Sequence, residues 1–170
     1  MAQTQIYDLL MDDHRSVEQM FETIEDALDS ENYAKAEEVF GQLKIALTAH
    51  SKAEEESFYE PLKILARDKE GHDLAWEGAE EHHVAALLLN ELSRIDVEEI
   101  PWKGKLKVLC ELIEHHVEEE ENEIFKEAKK YFSAEEAREM GNNFRELKEE
   151  YKTMVDEALA EDIEILLHPL

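Results

Sequence analysis

Apolar residues recur along the chain at alternating spacings of three and four, the signature of helices that each bury one face. Ile6, Leu10, Val17, Phe21, Ile24 and Leu28 form the first stripe, and a polar break at residues 29–32 ends it. A second stripe runs through Val39, Leu43, Leu47 and Phe58, with Pro61 expected to kink or end the helix because it has no amide donor. Glu70, Gly71 and His72 read as a break before a third stripe of Ala75, Ala79, Ala85, Leu88, Leu89 and Leu92. Pro101 marks the loop before a fourth, carried by Leu106, Leu109, Ile113, Val117 and Ile124. Ser133 with Glu136 fits a capping box, so a fifth helix should start near Ala134 and run past Tyr151, with Ala137, Met140, Phe144, Leu147, Tyr151 and Met154 on its apolar side.

Only five glycines and three prolines interrupt 170 residues rich in straight-chain helix formers, so the fold class is all-α. Four helices with short connections pack most simply as an antiparallel up-down-up-down bundle, assigned to residues 1–131. Residues 132–170 form the additional C-terminal helix and tail, packed on the bundle or used in dimerisation, which leaves monomer and homodimer both open.

A formal net charge of -26 repels phosphate backbones and anionic lipid, so no nucleic acid and no membrane partner is expected. The apolar run at residues 85–89, extended by Val84, is far too short to span a bilayer, and no basic-then-apolar leader pattern is present; a cytoplasmic location is expected. Cys110, the single cysteine, lies in an apolar helical pattern and reads as a small packed thiol.

The apolar stripes contain an anomaly. His14 stands where an apolar residue belongs between Leu10 and Val17, His50 between Leu47 and Phe58, His82 between Ala79 and Leu89, and His116 between Ile113 and Ile124. Glu54 and Glu120 follow two of these by one turn and share their face. The pattern is duplicated. The segment from His50 aligns with that from His116, and Asp13-His14 aligns with Glu81-His82, so two similar hairpins should pair about a pseudo-twofold axis. In so acidic a chain, an acid four places after a histidine is cheap, and phase is the discriminating fact. Burying two carboxylates uncompensated costs several kcal/mol each. Four imidazoles and two carboxylates from four facing helices instead suit a dinuclear metal centre with bridging glutamates, a setting that favours iron. His83 and His115 fall at the helix flanks, His72 in a break and His168 in the tail.

The series His14, His50-x-x-x-Glu54, His82, His116-x-x-x-Glu120 resembles the hemerythrin-like (His-His-Glu cation-binding) family over about residues 4–130. The resemblance implies a four-helix bundle holding two non-haem iron ions in an oxygen-bridged di-iron centre. It implies His14, His50, His82 and His116 as terminal ligands, with Glu54 and Glu120 as bridges. Oxygen-carrying hemerythrins have a further histidine one turn from the first on the third helix, where this chain has Gly78 and Ala86. Their last carboxylate lies five residues after its histidine, which would select Glu121; symmetry with Glu54 favours Glu120. Glu55 and Glu121 are then supporting groups or alternate ligands, and Tyr59 is a candidate hydrogen-bond donor. A ferritin-like site needs two Glu-x-x-His elements, and only Glu80 with His83 fits.

Four functions follow. The leading one is binding of O2, NO or peroxide for sensing, storage or detoxification. The others are a peroxide-decomposing enzyme, made plausible by the missing histidine, an iron donor or iron sensor, and a metal-free interaction bundle.

Overall fold

The computed structural model describes residues 4–160; His168 lies outside them. The elements in chain order are α1 (Ile6–Asp29), α2 (Tyr33–Glu54), α3 (Glu60–Leu65), α4 (Lys69–Leu92), α5 (Ile100–Glu119), α6 (Phe125–Ala128) and α7 (Ala134–Ala160). Two π-helical turns, Glu55–Tyr59 and Glu120–Ile124, join α2 to α3 and α5 to α6, so each trio of segments is one long rod. Among the described residues there is no strand, and no helix is long and apolar enough to cross a membrane.

Direction follows from which end of each helix enters which part of the core. One apolar cluster gathers Val17, Phe21 and Ile24 with Val39, Leu43 and Leu47, Ala85 and Leu89, and Leu106 to Val117. The other gathers Ile6 and Leu10 with Phe58, Tyr59 and Leu62, Ala75, and Ile124 to Ala128. The rods α1 and α4 run from the second cluster to the first, and those begun by α2 and α5 run back. This is the expected up-down-up-down bundle. The four histidines and two glutamates of the anomalous stripe all fall between the two clusters, as a polar layer with apolar packing above and below it.

Three boundary expectations are corrected. Pro61 does not end its rod: it sits in the first turn of α3, where the change from π to α register leaves room for a missing donor. Gly71 and His72 lie inside α4, whose N-cap is Asp68, with its side chain accepting from the Gly71 amide at 2.9 Å. Pro101 is likewise inside the first turn of α5 and not in the loop before it. Gly71 and Pro101 share a cause, a first turn whose amides lie outside the intrahelical ladder and are capped by a side chain or not needed.

The capping box at α7 forms as expected, with the Ser133 amide donating to Glu136 at 2.7 Å and the Glu136 amide to Ser133 Oγ at 3.3 Å. Helix α7 docks on the bundle, across α1 and α2. Phe144 is buried against the His50 ring, with centroids 5.8 Å apart, and Lys148 pairs with Asp13. The apolar side of α7 drifts near its end: Val155 is buried, whereas Met154 is exposed. Close approach at its start depends on Gly141, where a Cβ would stand 2.8 Å from the Thr4 carbonyl oxygen.

Gly141→Ala should therefore lower the thermal midpoint, because the clash is with backbone that has no alternative rotamer. Gly104 is exposed and its Cβ would meet nothing within 4 Å, so Gly104→Ala should raise stability by about 0.5–1 kcal/mol through reduced backbone entropy. Calorimetric melting checks the contrast; a Gly141→Ala protein that melts no lower than its parent contradicts this docking of α7.

Candidate metal centre

The polar layer is closed to solvent. Glu54 and Glu120 are 0% exposed and the four histidines only 3–4%. The layer is organised by hairpin: the His14 and His50 rings have centroids 5.3 Å apart, and those of His82 and His116 are 4.6 Å apart. Glu54 Oε2 lies between the two pairs, 3.3 Å from His50 Nε2 and 3.4 Å from His82 Nε2. Glu120 Oε2 lies 3.1 Å from His14 Nε2. The six residues expected from the sequence are thus brought to one place, with their inner nitrogens and carboxylate oxygens facing a common space.

Three of the four outer nitrogens are hydrogen-bonded to a carboxylate. His14 Nδ1 donates to Glu121 Oε1 at 2.8 Å, His50 Nδ1 to Asp13 Oδ2 at 3.1 Å, and His116 Nδ1 to Glu81 Oε2 at 2.8 Å. His82 Nδ1 faces Glu55 Oε1 at 3.5 Å. A carboxylate on Nδ1 fixes the tautomer and leaves the Nε2 lone pair pointing inward, the arrangement of metal-binding imidazoles. Glu121 and Glu55 thus lie against outer nitrogens, and Glu120 is fully buried in the interior.

The layer sets two carboxylates side by side away from solvent. Burial, and then the charge of Glu120, hold the Glu54 carboxyl well above the ordinary carboxylate range. Burial pushes His82 down to about 4, so its ring is neutral near pH 7. His82 Nε2 and His116 Nε2 stand 3.1 Å apart, within hydrogen-bond reach when one of them carries a proton. Both oxygens of Glu54, Oε2 of Glu120 and Nε2 of His14 are buried and make no hydrogen bond. Orphaned acceptors converging from three helical rods are what a bound metal would satisfy. Glu54, His82 and His116 alone offer three donor atoms within 4.8 Å of one another. The donor set of neutral imidazole and carboxylate suits first-row transition metals.

The widened π turns stand beside the glutamates in both hairpins. Glu54 precedes the first and Glu120 opens the second. In each, a side chain donates to a carbonyl one turn back: Ser57 Oγ to Ala53 at 2.6 Å and Asn122 Nδ2 to Glu118 at 2.7 Å. The extra residue per turn also brings Ser57, Phe58 and Tyr59 consecutively into the interior, which an α-helix cannot do with one face.

Tyr59 then reaches a place the sequence left open. Its ring packs edge-on to His82 at 5.5 Å and its hydroxyl donates to Glu120 Oε1 at 2.8 Å. A Cβ on Gly78 would stand 2.5 Å from that hydroxyl oxygen. Gly78, one of the two positions for the further histidine, thus admits the phenol. At the other, Ala86, the structure has a cavity of about 20 Å³ lined by Leu47, Thr48, Glu55, His82, His83 and Ala86, room for about one water-sized molecule.

Other candidates are not drawn in. His115 is mostly exposed, His83 lines the small cavity, and His72 accepts from the Trp76 indole at 3.4 Å on the surface. Sequence reasoning missed Asp13 and Glu81 as partners of His50 and His116. The signal was present, because each stands immediately before the first-helix histidine in both copies of the repeat.

Gly78→Ala should cost about 1–3 kcal/mol as an overpacked core site. In a double-mutant cycle with Tyr59→Ala, the two losses should be less than additive by more than about 0.5 kcal/mol, since removing the phenol removes the clash. Denaturant melts of the four proteins test this, and simple additivity contradicts the described packing.

The hemerythrin HHE cation binding domain matches the chain over residues 5–128. No curated protein sequence matches it. Among solved structures, a hemerythrin HHE cation binding domain-containing protein from Mycobacterium kansasii superposes with a TM-score of 0.78 at 20% identity, covering 92% of this chain and 93% of that one. That likeness is one of fold. The domain match spans the whole polar layer and both hairpins, and the chain belongs to the hemerythrin HHE cation-binding family.

Proposed function

We propose that this protein binds two non-haem iron ions, with His14, His50, His82 and His116 as terminal ligands and Glu54 and Glu120 as bridges, and uses them to bind O2 or another small oxidant or diatomic such as NO or peroxide. The observation that carries the proposal is the pair of fully buried glutamates, whose orphaned oxygens face inward lone pairs of four histidines. Two carboxylates and neutral imidazoles need more than one positive charge, and one cation of charge two leaves nothing for the second histidine pair. An iron pair supplies Lewis acidity and redox chemistry that no side chain here offers. The chain's own contribution is to hold donors in place through the outer carboxylates, to exclude bulk water with the two apolar clusters, and to offer a proton from Tyr59 to Glu120.

A second reading, decomposition of hydrogen peroxide to water and O2, is favoured by one feature. The position of the further histidine at Ala86 lies beside a small cavity against His82, so a water-sized ligand has somewhere to sit and a slight widening would admit peroxide.

Purified protein should carry close to two iron ions per chain by elemental analysis. A single tetrahedral zinc, or no metal after iron-replete growth, contradicts the di-iron reading. His50→Ala and His116→Ala should lose one or both ions, while His72→Ala keeps them, because only the first two face the buried layer. Mixing reduced protein with O2, and oxidised protein with peroxide, separates the two readings. Reversible O2 uptake without O2 evolution from peroxide supports the carrier; peroxide consumption that falls in Ala86→Leu at unchanged iron content supports the enzyme.

A further inference from the structure

Each buried histidine leans on an outer carboxylate, and three of those four carboxylates are ion-paired to a lysine or arginine. Glu121 meets Arg15, Asp13 meets Lys148, and Glu55 meets Lys52 at 3.5 Å. The fourth is built differently. Glu81 holds His116 Nδ1 through Oε2 at 2.8 Å, and its Oε1 lies 3.7 Å from Nε2 of His115, a side chain that is 63% exposed. Glu119, one turn beyond His115 on α5, brings a second carboxylate to the same spot. One donor atom from each of Glu81, His115 and Glu119 lies within 4.8 Å of the other two. Glu119 Oε2 is shut off from solvent and has no hydrogen-bond partner. Glu77 and Glu123 add negative charge around it.

We infer that Glu81, His115 and Glu119 form an outer cation site on the α4–α5 face, separate from the buried centre, that takes a first-row divalent metal ion. One imidazole and two carboxylates are a donor set for such ions, and His115 and Glu119 are a turn apart on one helix face, within common reach. A divalent ion placed among them meets Glu81, His115 and the orphaned Glu119 Oε2 together. It also gives Glu81 the counter-charge that Arg15, Lys148 and Lys52 give the other three outer carboxylates. Through Glu81, the outer ion is linked to His116 by a single carboxylate, which places it on a short route toward the buried layer. The site adds to the di-iron reading without depending on what fills that layer.

The test is equilibrium dialysis of iron-loaded protein against Zn2+, with zinc and iron measured in the same samples. The parent should bind one equivalent of zinc more than His115→Ala/Glu119→Gln, at an iron content that zinc does not change, and His72→Ala should match the parent. Both altered side chains lie on the surface side of α5, and circular dichroism checks that the variant is folded. Equal zinc uptake by parent and double variant, or zinc gained only as iron is lost, overturns the outer site. Should the preparations hold no iron, the di-iron reading fails by itself, while the one-equivalent difference between parent and double variant still decides the outer site.

Discussion

Two glutamates with no solvent exposure face each other in the middle of a helical bundle, and the rest of the molecule is arranged around that constraint. Removing one carboxylate from water costs several kcal/mol even after relaxation, and a second beside it adds repulsion in a medium that screens poorly. The layer is compatible with a folded chain only if charge of the opposite sign sits between the carboxylates or if one of them is protonated. The histidines supply that charge only in part. Against the cost of burial, Glu120 raises the His14 imidazole and Glu81 raises that of His116, whereas burial keeps His82 neutral.

Duplication turns this constraint into a ring. Within a hairpin, the acid that precedes the first-helix histidine holds the second-helix histidine: Asp13 serves His50, and Glu81 serves His116. Between hairpins, the second acid of each Glu-Glu pair serves the other hairpin's first histidine: Glu55 faces His82, and Glu121 holds His14. Every polar group of the duplicated motif therefore has a place, and Glu55 and Glu121 tie the two copies together. The symmetry breaks at two points with chemical consequences. Tyr59 enters on one side because Gly78 has no side chain, and among the described residues Glu81 lacks the lysine or arginine its three counterparts have.

The bundle, its direction and the inward layer were legible because phase is a local property: a histidine at a stripe position must face where its apolar neighbours face. Helix ends were less legible, since Pro61, Gly71 and Pro101 read as breakers although first turns accept them. The π turns left no periodic signal, being single-turn departures in otherwise regular rods, yet they bring Phe58 and Tyr59 together into the core. The pairing of Gly78 with Tyr59 was illegible for a different reason: it joins two helices through a steric vacancy, and a glycine in a helix does not announce what fills the space. The docking of α7 needed the three-dimensional surface of α1 and α2, because its stripe alone fits a bundle side as well as a second copy.

The central claim is that the buried carboxylate pair destabilises the metal-free fold and that metal relieves it. Thermal midpoints of metal-free and iron-loaded protein, measured for the parent and for Glu54→Gln/Glu120→Gln, test it most directly. The account predicts that iron raises the parent's midpoint, that the metal-free double variant melts above the metal-free parent, and that iron leaves the variant unchanged. A metal-free parent that melts as high as its iron-loaded form, with no gain from replacing the two carboxylates, would contradict it.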